Sequence, residues 1–233
     1  MSSIAILGYG KMGKRIEEFA LERKHTVVLC TNDTPKDIPS TVDVIINFST
    51  PDSAFDLISM GLSKGIPVVS GTTGWLDRLT EAEALAEAHQ TAFLYSSNFS
   101  LGVHLFFELN QKLAELMAKH DQYAVTIEET HHTQKLDAPS GTALTLAEAH
   151  IASRNFKGYS NEPKSGFLPI YSTREGEVPG THVVHYTSAI DQISLTHQAF
   201  NRDGFALGAL IAAEWIIGKK GIFSLSDVLN LNA

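Results

Sequence analysis

The sequence predicts an α/β protein: a Rossmann-type, doubly wound parallel sheet, joined to a second α+β domain with a mixed or antiparallel sheet. Three observations carry this. Short β-branched runs alternate with helical patterns through the first hundred residues. A complete G-x-G-x-x-G follows the first of those runs and opens a helix. After Asn98 the rhythm changes to one long helical pattern, then to strands that alternate polar with apolar residues.

Taken in order, Ile4 to Leu7 is an apolar run ending at Gly8, and Lys14 to Leu21 reads as a helix with Ile16, Phe19 and Ala20 on one face. Strand-like runs follow at Thr26–Leu29 and Val42–Phe48, a helix at Ser53–Ser63, a strand at Ile66–Val69, a helix at Glu81–His89 and a fifth strand at Ala92–Tyr95. Leu101–Lys119 reads as one helix with Leu105, Leu109, Leu113 and Leu116 along a face. Tyr123–Ile127 alternates as a strand, about Thr142–Ser153 is helical, and residues 154–180 read as loop with short strands. Thr181–Ser188 and Gln192–Ala199 form an expected antiparallel pair. An apolar helix over Ala206–Ile217 leads to Gly218-Lys219-Lys220-Gly221 and a short amphipathic end. The expected domains are residues 1–99, completed by 204–233, and residues 100–203.

Bulk properties narrow the function. The chain has 233 residues, 43% hydrophobic and 19% charged, an ordinary globular balance. A net charge of −8 argues against a nucleic-acid binder, which needs a basic face. The single cysteine, Cys30, rules out an internal disulfide and suits a reducing, cytoplasmic setting. No secretory signal and no apolar run long enough to span a membrane is expected.

Gly8-Tyr9-Gly10-Lys11-Met12-Gly13 reads as a phosphate loop: Gly8 for the tight turn, Gly10 for close approach of a pyrophosphate to backbone, Gly13 for close helix–strand packing. The helix that follows offers free N–H groups to the phosphates. Asp33, about 20 residues on, is placed to accept from an adenosine ribose and to repel a 2′-phosphate, with Lys36 nearby to offset that preference. Gly71-Thr72-Thr73-Gly74 and Ser96-Ser97-Asn98-Phe99 end the fourth and fifth strands, where parallel sheets line their ligand crevice. NADH or NADPH is the implied cofactor.

The run from Glu128 to Ala143 concentrates the chemistry of the second domain. Ser140-Gly141-Thr142 precedes a helix and forms a nest suited to a carboxylate, or a plain helix cap. Lys135 and one of His131 and His132 can supply protons or charge. Adjacent histidines on a strand point to opposite faces, and no H-E-x-x-H or cysteine partner is present, so no metal is expected.

On His131-His132-x-x-Lys135-x-Asp137-Ala138-Pro139-Ser140-Gly141-Thr142-Ala143 the chain resembles the 4-hydroxy-tetrahydrodipicolinate reductases of the diaminopimelate–lysine route. The likeness extends through Gly8–Gly13, Gly71–Gly74, Asn98-Phe99-Ser100-x-Gly102-Val103 and Arg174-x-Gly176-x-x-x-Gly180-x-His182, essentially the whole chain. The resemblance implies NAD(P)H-dependent reduction of a small dicarboxylate ring with loss of water. It places His131 as proton donor or acceptor and Lys135 as proton donor. Substrate carboxylate contacts fall on His132, Gly141 and Thr142, with Ser140 in the same nest. Cofactor contacts fall on the Gly8 loop, Gly71 to Thr73 and Ser96 to Phe99. It further implies a homotetramer built through the second domain's sheet. The chain departs from the commoner pattern in a glycine loop one residue shorter, in lacking the arginine that often follows the residue at Asp33, and in a short segment between about 154 and 172. A dehydrogenase acting on another small carboxylate would share the first half of this pattern; the His131–Ala143 run is what discriminates.

Overall fold

The computed structural model describes residues 1–231. The chain forms two compact units, one of Met1–Leu101 with the chain from Asp203 onward, the other of Gly102–Arg202. The first unit begins β1 (Ser3–Leu7), α1 (Lys11–Glu22), β2 (Thr26–Thr31), β3 (Val44–Asn47), α2 (Pro51–Ser63), β4 (Val68–Ser70), α3 (Leu79–Ala88) and β5 (Ala92–Tyr95). Next come α4 (Leu101–Met117), β6 (Ala124–His131), α5 (Gly141–Arg154), β7 (Tyr159–Ser160), β8 (Leu168–Arg174), β9 (Gly180–Thr187) and β10 (Gln192–Ala199). The chain then returns to the first unit with α6 (Asp203–Ile216), β11 (Gly221–Phe223) and α7 (Leu225–Val228).

The first unit's sheet runs β11-β5-β4-β3-β1-β2, every pair parallel. Both faces are covered, so its strands read as continuous apolar runs. Ile4, Ile6, Val44 and Ile46 pack towards α1 and α6, while Ala5, Leu7, Ile45 and Val68 pack towards α2 and α3. The returning helix is fastened by charge as well as by apolar burial. Arg15 grips Asp203 through two bonds of 2.7 and 2.8 Å, and Glu214 receives Arg23 and His25 at 2.7 Å each. Strand β11 sits at the sheet edge beside β5, where the sequence suggested only a turn and an amphipathic end. Three residues are too few to show a period.

The second unit's sheet is mixed, in the order β10-β9-β6-β8-β7: the first two pairings are antiparallel, the last two parallel. One face packs on helices, with Val125, Ile127, Ile170, Val184 and Tyr186 against Phe106, Leu146 and Ala147. Strand β6 runs on to His131, four residues past the alternating pattern, because Glu128 to Thr130 pair with both β8 and β9 and His131 pairs with β8. Helix α4 forms as the period requires but turns its other side inward. Val103, Phe106, Asn110, Ala114 and Met117 are buried, while Leu105, Leu109 and Leu116 are exposed. The leucine stripe is a true helical stripe; the tertiary fold chose its neighbour.

That choice buries a polar network. His150 Nε2 meets Asn110 Oδ1 at 2.7 Å, Tyr186 Oη meets His150 Nδ1 at 2.8 Å, and Asn110 Nδ2 donates to the Leu146 carbonyl at 3.0 Å. With Asn110 Oδ1 as acceptor, His150 donates from Nε2 and Tyr186 donates to Nδ1, so the neutral ring is fully satisfied. Burial, helped by Arg154, pushes its pKa down to about 4. The unfolded chain takes up this proton near the ordinary value of 6.5 and the folded chain refuses it until about 4. Stability contributed by the neutral ring is therefore lost as pH falls through that window, by about 2 kcal/mol at pH 5. Urea unfolding at pH 7 and pH 5 checks this, and an unchanged midpoint contradicts it.

Candidate active site

In the first unit, the residues singled out from sequence converge on the carboxyl ends of the parallel strands. Gly8 ends β1 with φ +96°, and a Cβ there would lie 2.2 Å from the Phe48 carbonyl oxygen. A Cβ on Gly13 would lie 2.4 Å from the Gly8 oxygen, so helix α1 crosses β1 at a distance that only glycine permits. A Cβ on Gly10 would meet nothing within 4 Å. That opening lies at the start of α1, whose first-turn N–H groups have no acceptor within the helix and whose first turn carries no acidic residue. A turn that is packed at Gly8 and Gly13 but open at Gly10 fits a dinucleotide pyrophosphate. Of the remaining loop residues, Lys11 is exposed, Met12 packs against the core, and the Tyr9 hydroxyl donates to Glu17, whose carboxylate holds the phenol up at about 12.

Asp33 is exposed beyond β2, its N–H bonded to Thr31 Oγ1 at 3.0 Å. Gly71 follows β4, where a Cβ would meet the Phe48 ring at 2.3 Å. Thr72 is buried and accepts the Ser49 N–H at 2.9 Å, while Thr73 is exposed. After β5, Ser96 Oγ donates to the Asn98 carbonyl at 2.6 Å, and Asn98 Oδ1 accepts the Ser100 N–H at 2.8 Å. Ser97 is exposed, and Phe99 is buried with its ring 5.7 Å from that of Phe48. The segment Phe48–Ser49 thus touches three of the predicted loops. Nothing in its own composition marked it. Only the sheet order, which sets β3 between β1 and β4, brings it there.

In the second unit the centre is a residue given no role above. Glu129 on β6 is 1% exposed, and its two oxygens gather donors from three other elements. Ser172 Oγ donates to Oε1 at 2.7 Å, Arg174 Nη2 to Oε1 at 3.2 Å, and the Ser140 N–H to both oxygens at 3.0 and 3.2 Å. His131 Nδ1 and His182 Nε2 lie 3.5 and 3.6 Å from Oε2. Burial alone would raise the Glu129 pKa, but the bonds from His182, Ser140 and Ser172 outweigh it and hold the carboxyl well below the usual range. Burial also lowers His131 to about 4, reinforced by His182, Lys135 and Arg174 and opposed by Glu129, so at neutral pH His131 is uncharged.

Lys135 Nζ is held by both oxygens of Asp137 at 2.8 Å. Arg174 fastens this loop from β8 by donating to the carbonyls of Lys135 and Asp137. Ser140 caps α5 by accepting the Ala143 N–H at 3.2 Å, and its hydroxyl also meets His182 Nε2 at 3.2 Å. Both polar groups of Ser140 are therefore engaged within the unit. The anion-ready donors are the first-turn N–H groups of Gly141 and Thr142, and a Cβ on Gly141 would meet nothing within 4 Å. His132 is half-buried next to His131 but lies off the buried face.

Among the described residues, one group has spacing suited to a metal ion: Glu129, His131 and His182, with ligand atoms all within 4.8 Å of one another. In the sequence His131 stands next to His132. The fold pairs it instead with His182 from the adjacent strand. The donors already on Glu129, with the positive charge of Arg174 among them, oppose a divalent ion. Arg174 and His182 lie in the motif of the resemblance without an assigned role there. Their roles become visible once β8 and β9 flank β6.

Comparison with known proteins places the chain in a family. The family model described as dihydrodipicolinate reductase, N-terminus, matches residues 2–99, and that described as dihydrodipicolinate reductase, C-terminus, matches residues 102–229. A 4-hydroxy-tetrahydrodipicolinate reductase of Christiangramia forsetii is 49% identical over 233 residues, covering 98% of each chain. One from Archaeoglobus fulgidus is 36% identical over 80% of this chain and 76% of its own. A solved dipicolinate-bound dihydrodipicolinate reductase from Paenisporosarcina sp. TG-14 superposes with a TM-score of 0.76, covering 96% of this chain and 97% of that one; at 23% identity this likeness speaks for the fold. With both halves matched in order and a full-length relative at 49% identity, the chain belongs to the dihydrodipicolinate reductase family.

Proposed function

We propose that this chain is an NAD(P)H-dependent reductase converting 4-hydroxy-tetrahydrodipicolinate to tetrahydrodipicolinate on the diaminopimelate–lysine route. The observation that carries the reading is the full-length 49% identity to a reductase of that name. The geometry of the second unit supports it, because a ring with two carboxylates needs two anion-binding elements. The free N–H groups of Gly141 and Thr142 at the start of α5 serve one carboxylate. The side chains of His132 and Lys135 serve the other.

When bound, the dinucleotide would supply hydride to the ring carbon that has lost its hydroxyl as water, a position conjugated with the ring C=N. Gly8, Gly10 and Gly13, with Tyr9, Lys11 and Met12 between them, form the turn that holds its pyrophosphate. Gly71, Thr72, Thr73 and the Ser96–Phe99 turn shape the crevice wall. Lys135 Nζ delivers the proton that balances the hydride, which requires exchanging its Asp137 partner for substrate. Asp33 accepts the adenosine ribose hydroxyls and disfavours a 2′-phosphate, so NADH is the better substrate of the two cofactors.

No helix among the described residues is long and apolar enough to cross a membrane. The free thiol of Cys30 suits a reducing cytoplasm. The polar face of the second sheet away from its helices, carrying Thr126, Glu128, Thr181 and His185, suits pairing between copies of the chain in a homotetramer. Sedimentation of the intact protein reads that state.

A coupled assay tests the reaction. Pyruvate, aspartate semialdehyde and the preceding synthase generate the substrate in place, and NADH and NADPH oxidation are followed separately. Oxidation that depends on the synthase, faster with NADH, is the expected result. Cofactor binding without oxidation would remove the substrate assignment and leave the dinucleotide site standing.

A further inference from the structure

We propose that Glu129 is the positioning residue for His131, holding the imidazole proton on Nδ1 so that Nε2 faces the site as an acceptor. This rests on the role given to His131 in the reading above, and it separates the duties of the two residues: His131 accepts and Lys135 donates.

His131 Nδ1 is buried, has no hydrogen bond of its own, and lies 3.5 Å from Glu129 Oε2. With the proton on Nε2 instead, the Nδ1 lone pair would point at an ionised carboxylate, an electrostatic conflict inside a buried site. With the proton on Nδ1, ring and carboxylate attract. The other side of the ring has a matching feature. A Cβ on residue 180 would stand 3.2 Å from His131 Nε2 and 3.3 Å from Cδ2, so glycine at this position keeps the Nε2 edge clear.

Every charged or titratable neighbour is compatible with that assignment. From β9, His182 lies with its ring centroid 4.9 Å away, its Nε2 turned towards Glu129 Oε2 and Ser140 Oγ. From β10, His197 is the cross-strand partner of His182. From β8, Arg174 is the cross-strand partner of His131 and bonds Glu129 Oε1. Lys135 stands on the following loop with Asp137. Burial first, and then the positive groups, outweigh Glu129 and disfavour a second proton on His131, which leaves the neutral ring and makes its tautomer the variable that matters.

The carboxylate's own bonding makes the test sharp. Ser172 and Arg174 donate to Oε1, and the Ser140 N–H, shared between the two oxygens, lies nearer Oε1 at 3.0 Å than Oε2 at 3.2 Å. In Glu129→Gln the amide oxygen takes that crowded position and the NH₂ group takes the place of Oε2, aimed at His131 Nδ1. The substitution therefore inverts the tautomer with almost no change in shape.

The experiment is ¹⁵N-histidine NMR on the full-length protein at pH 7, with the His131 signals assigned through His131→Gln. The expected wild-type result is a neutral ring protonated at Nδ1. In Glu129→Gln the proton moves to Nε2, turnover falls roughly 10- to 100-fold, the scale of supporting-shell changes at other sites, and KM for NADH stays unchanged. Ser172→Ala, which leaves the carboxylate in place, keeps the wild-type tautomer and guards against a Glu129→Gln protein that folds poorly. A wild-type ring protonated at Nε2, or a tautomer unmoved by Glu129→Gln, overturns the proposal. Inversion of the tautomer without loss of turnover overturns the assignment of His131 to the reaction, while the dependence of its proton on Glu129 stands.

Discussion

Replacing Lys135 by methionine is expected to slow turnover by roughly 10²- to 10⁴-fold, the range for losing a positioned general acid, with NADH affinity unchanged. Methionine keeps the length of the stem and removes the ammonium. Stability should hardly move, because the pair that Lys135 makes with Asp137 is largely a surface ion pair; the Asp137 side chain is 56% exposed. Lys135→Arg divides the possible roles. A guanidinium reproduces the positive charge and can orient a carboxylate, but it gives up no proton in a protein. Failure of arginine to restore turnover, with KM for the substrate near the wild-type value, assigns proton donation to Lys135. Rescue by arginine reduces its role to charge. Steady-state kinetics in the coupled assay reads both variants. Asp137 adds a condition: its two bonds must be given up before Lys135 can reach the substrate.

The second large effect separates two glycines of one loop by different measurements. Gly8→Ala places a Cβ 2.2 Å from a backbone oxygen at φ +96°, where both the neighbour and the backbone conformation resist it. The combined cost is about 3 kcal/mol or more, so thermal unfolding of this variant should begin well below that of the wild type. Gly10→Ala meets nothing within 4 Å and has φ −83°, which any residue adopts. Its melting temperature should match the wild type. Its affinity for NADH should fall at least about tenfold, equivalent to roughly 1.4 kcal/mol, because the added methyl group occupies the space left for the pyrophosphate. Calorimetric titration with NADH beside a thermal melt checks the pair. A Gly10→Ala protein that binds normally would show that the pyrophosphate lies elsewhere.

The glycine loop illustrates what can be read without coordinates. Its spacing after an apolar run and before a helix is a local pattern, and both the tight turn at Gly8 and the contact at Gly13 follow from bonds and radii within a dozen residues. The alternation of short strands and helices in the first hundred residues is equally local, as is the cap at Ser140 with the free N–H groups behind it. These features made the Rossmann-type unit and the capped start of α5 legible, and the long His131–Ala143 run made the family legible.

Long-range pairing decided the rest. A helical stripe shows its period but not which side the fold will bury, so Leu105, Leu109 and Leu116 face outward while Asn110 goes inside to meet His150. Strand β11 exists because β5 offers it an edge. Phe48 meets Gly8 and Gly71 because β3 lies between β1 and β4. Glu129, His182, Ser172 and Arg174 are as far as 53 residues apart in the chain, and they meet because β6 pairs with β8 on one side and β9 on the other. The sequence by itself determined the local geometry, the class of fold and the chemical groups available. Tertiary pairing alone decided which of those groups share one buried carboxylate, because cross-strand register is set by contacts that no short window of sequence contains.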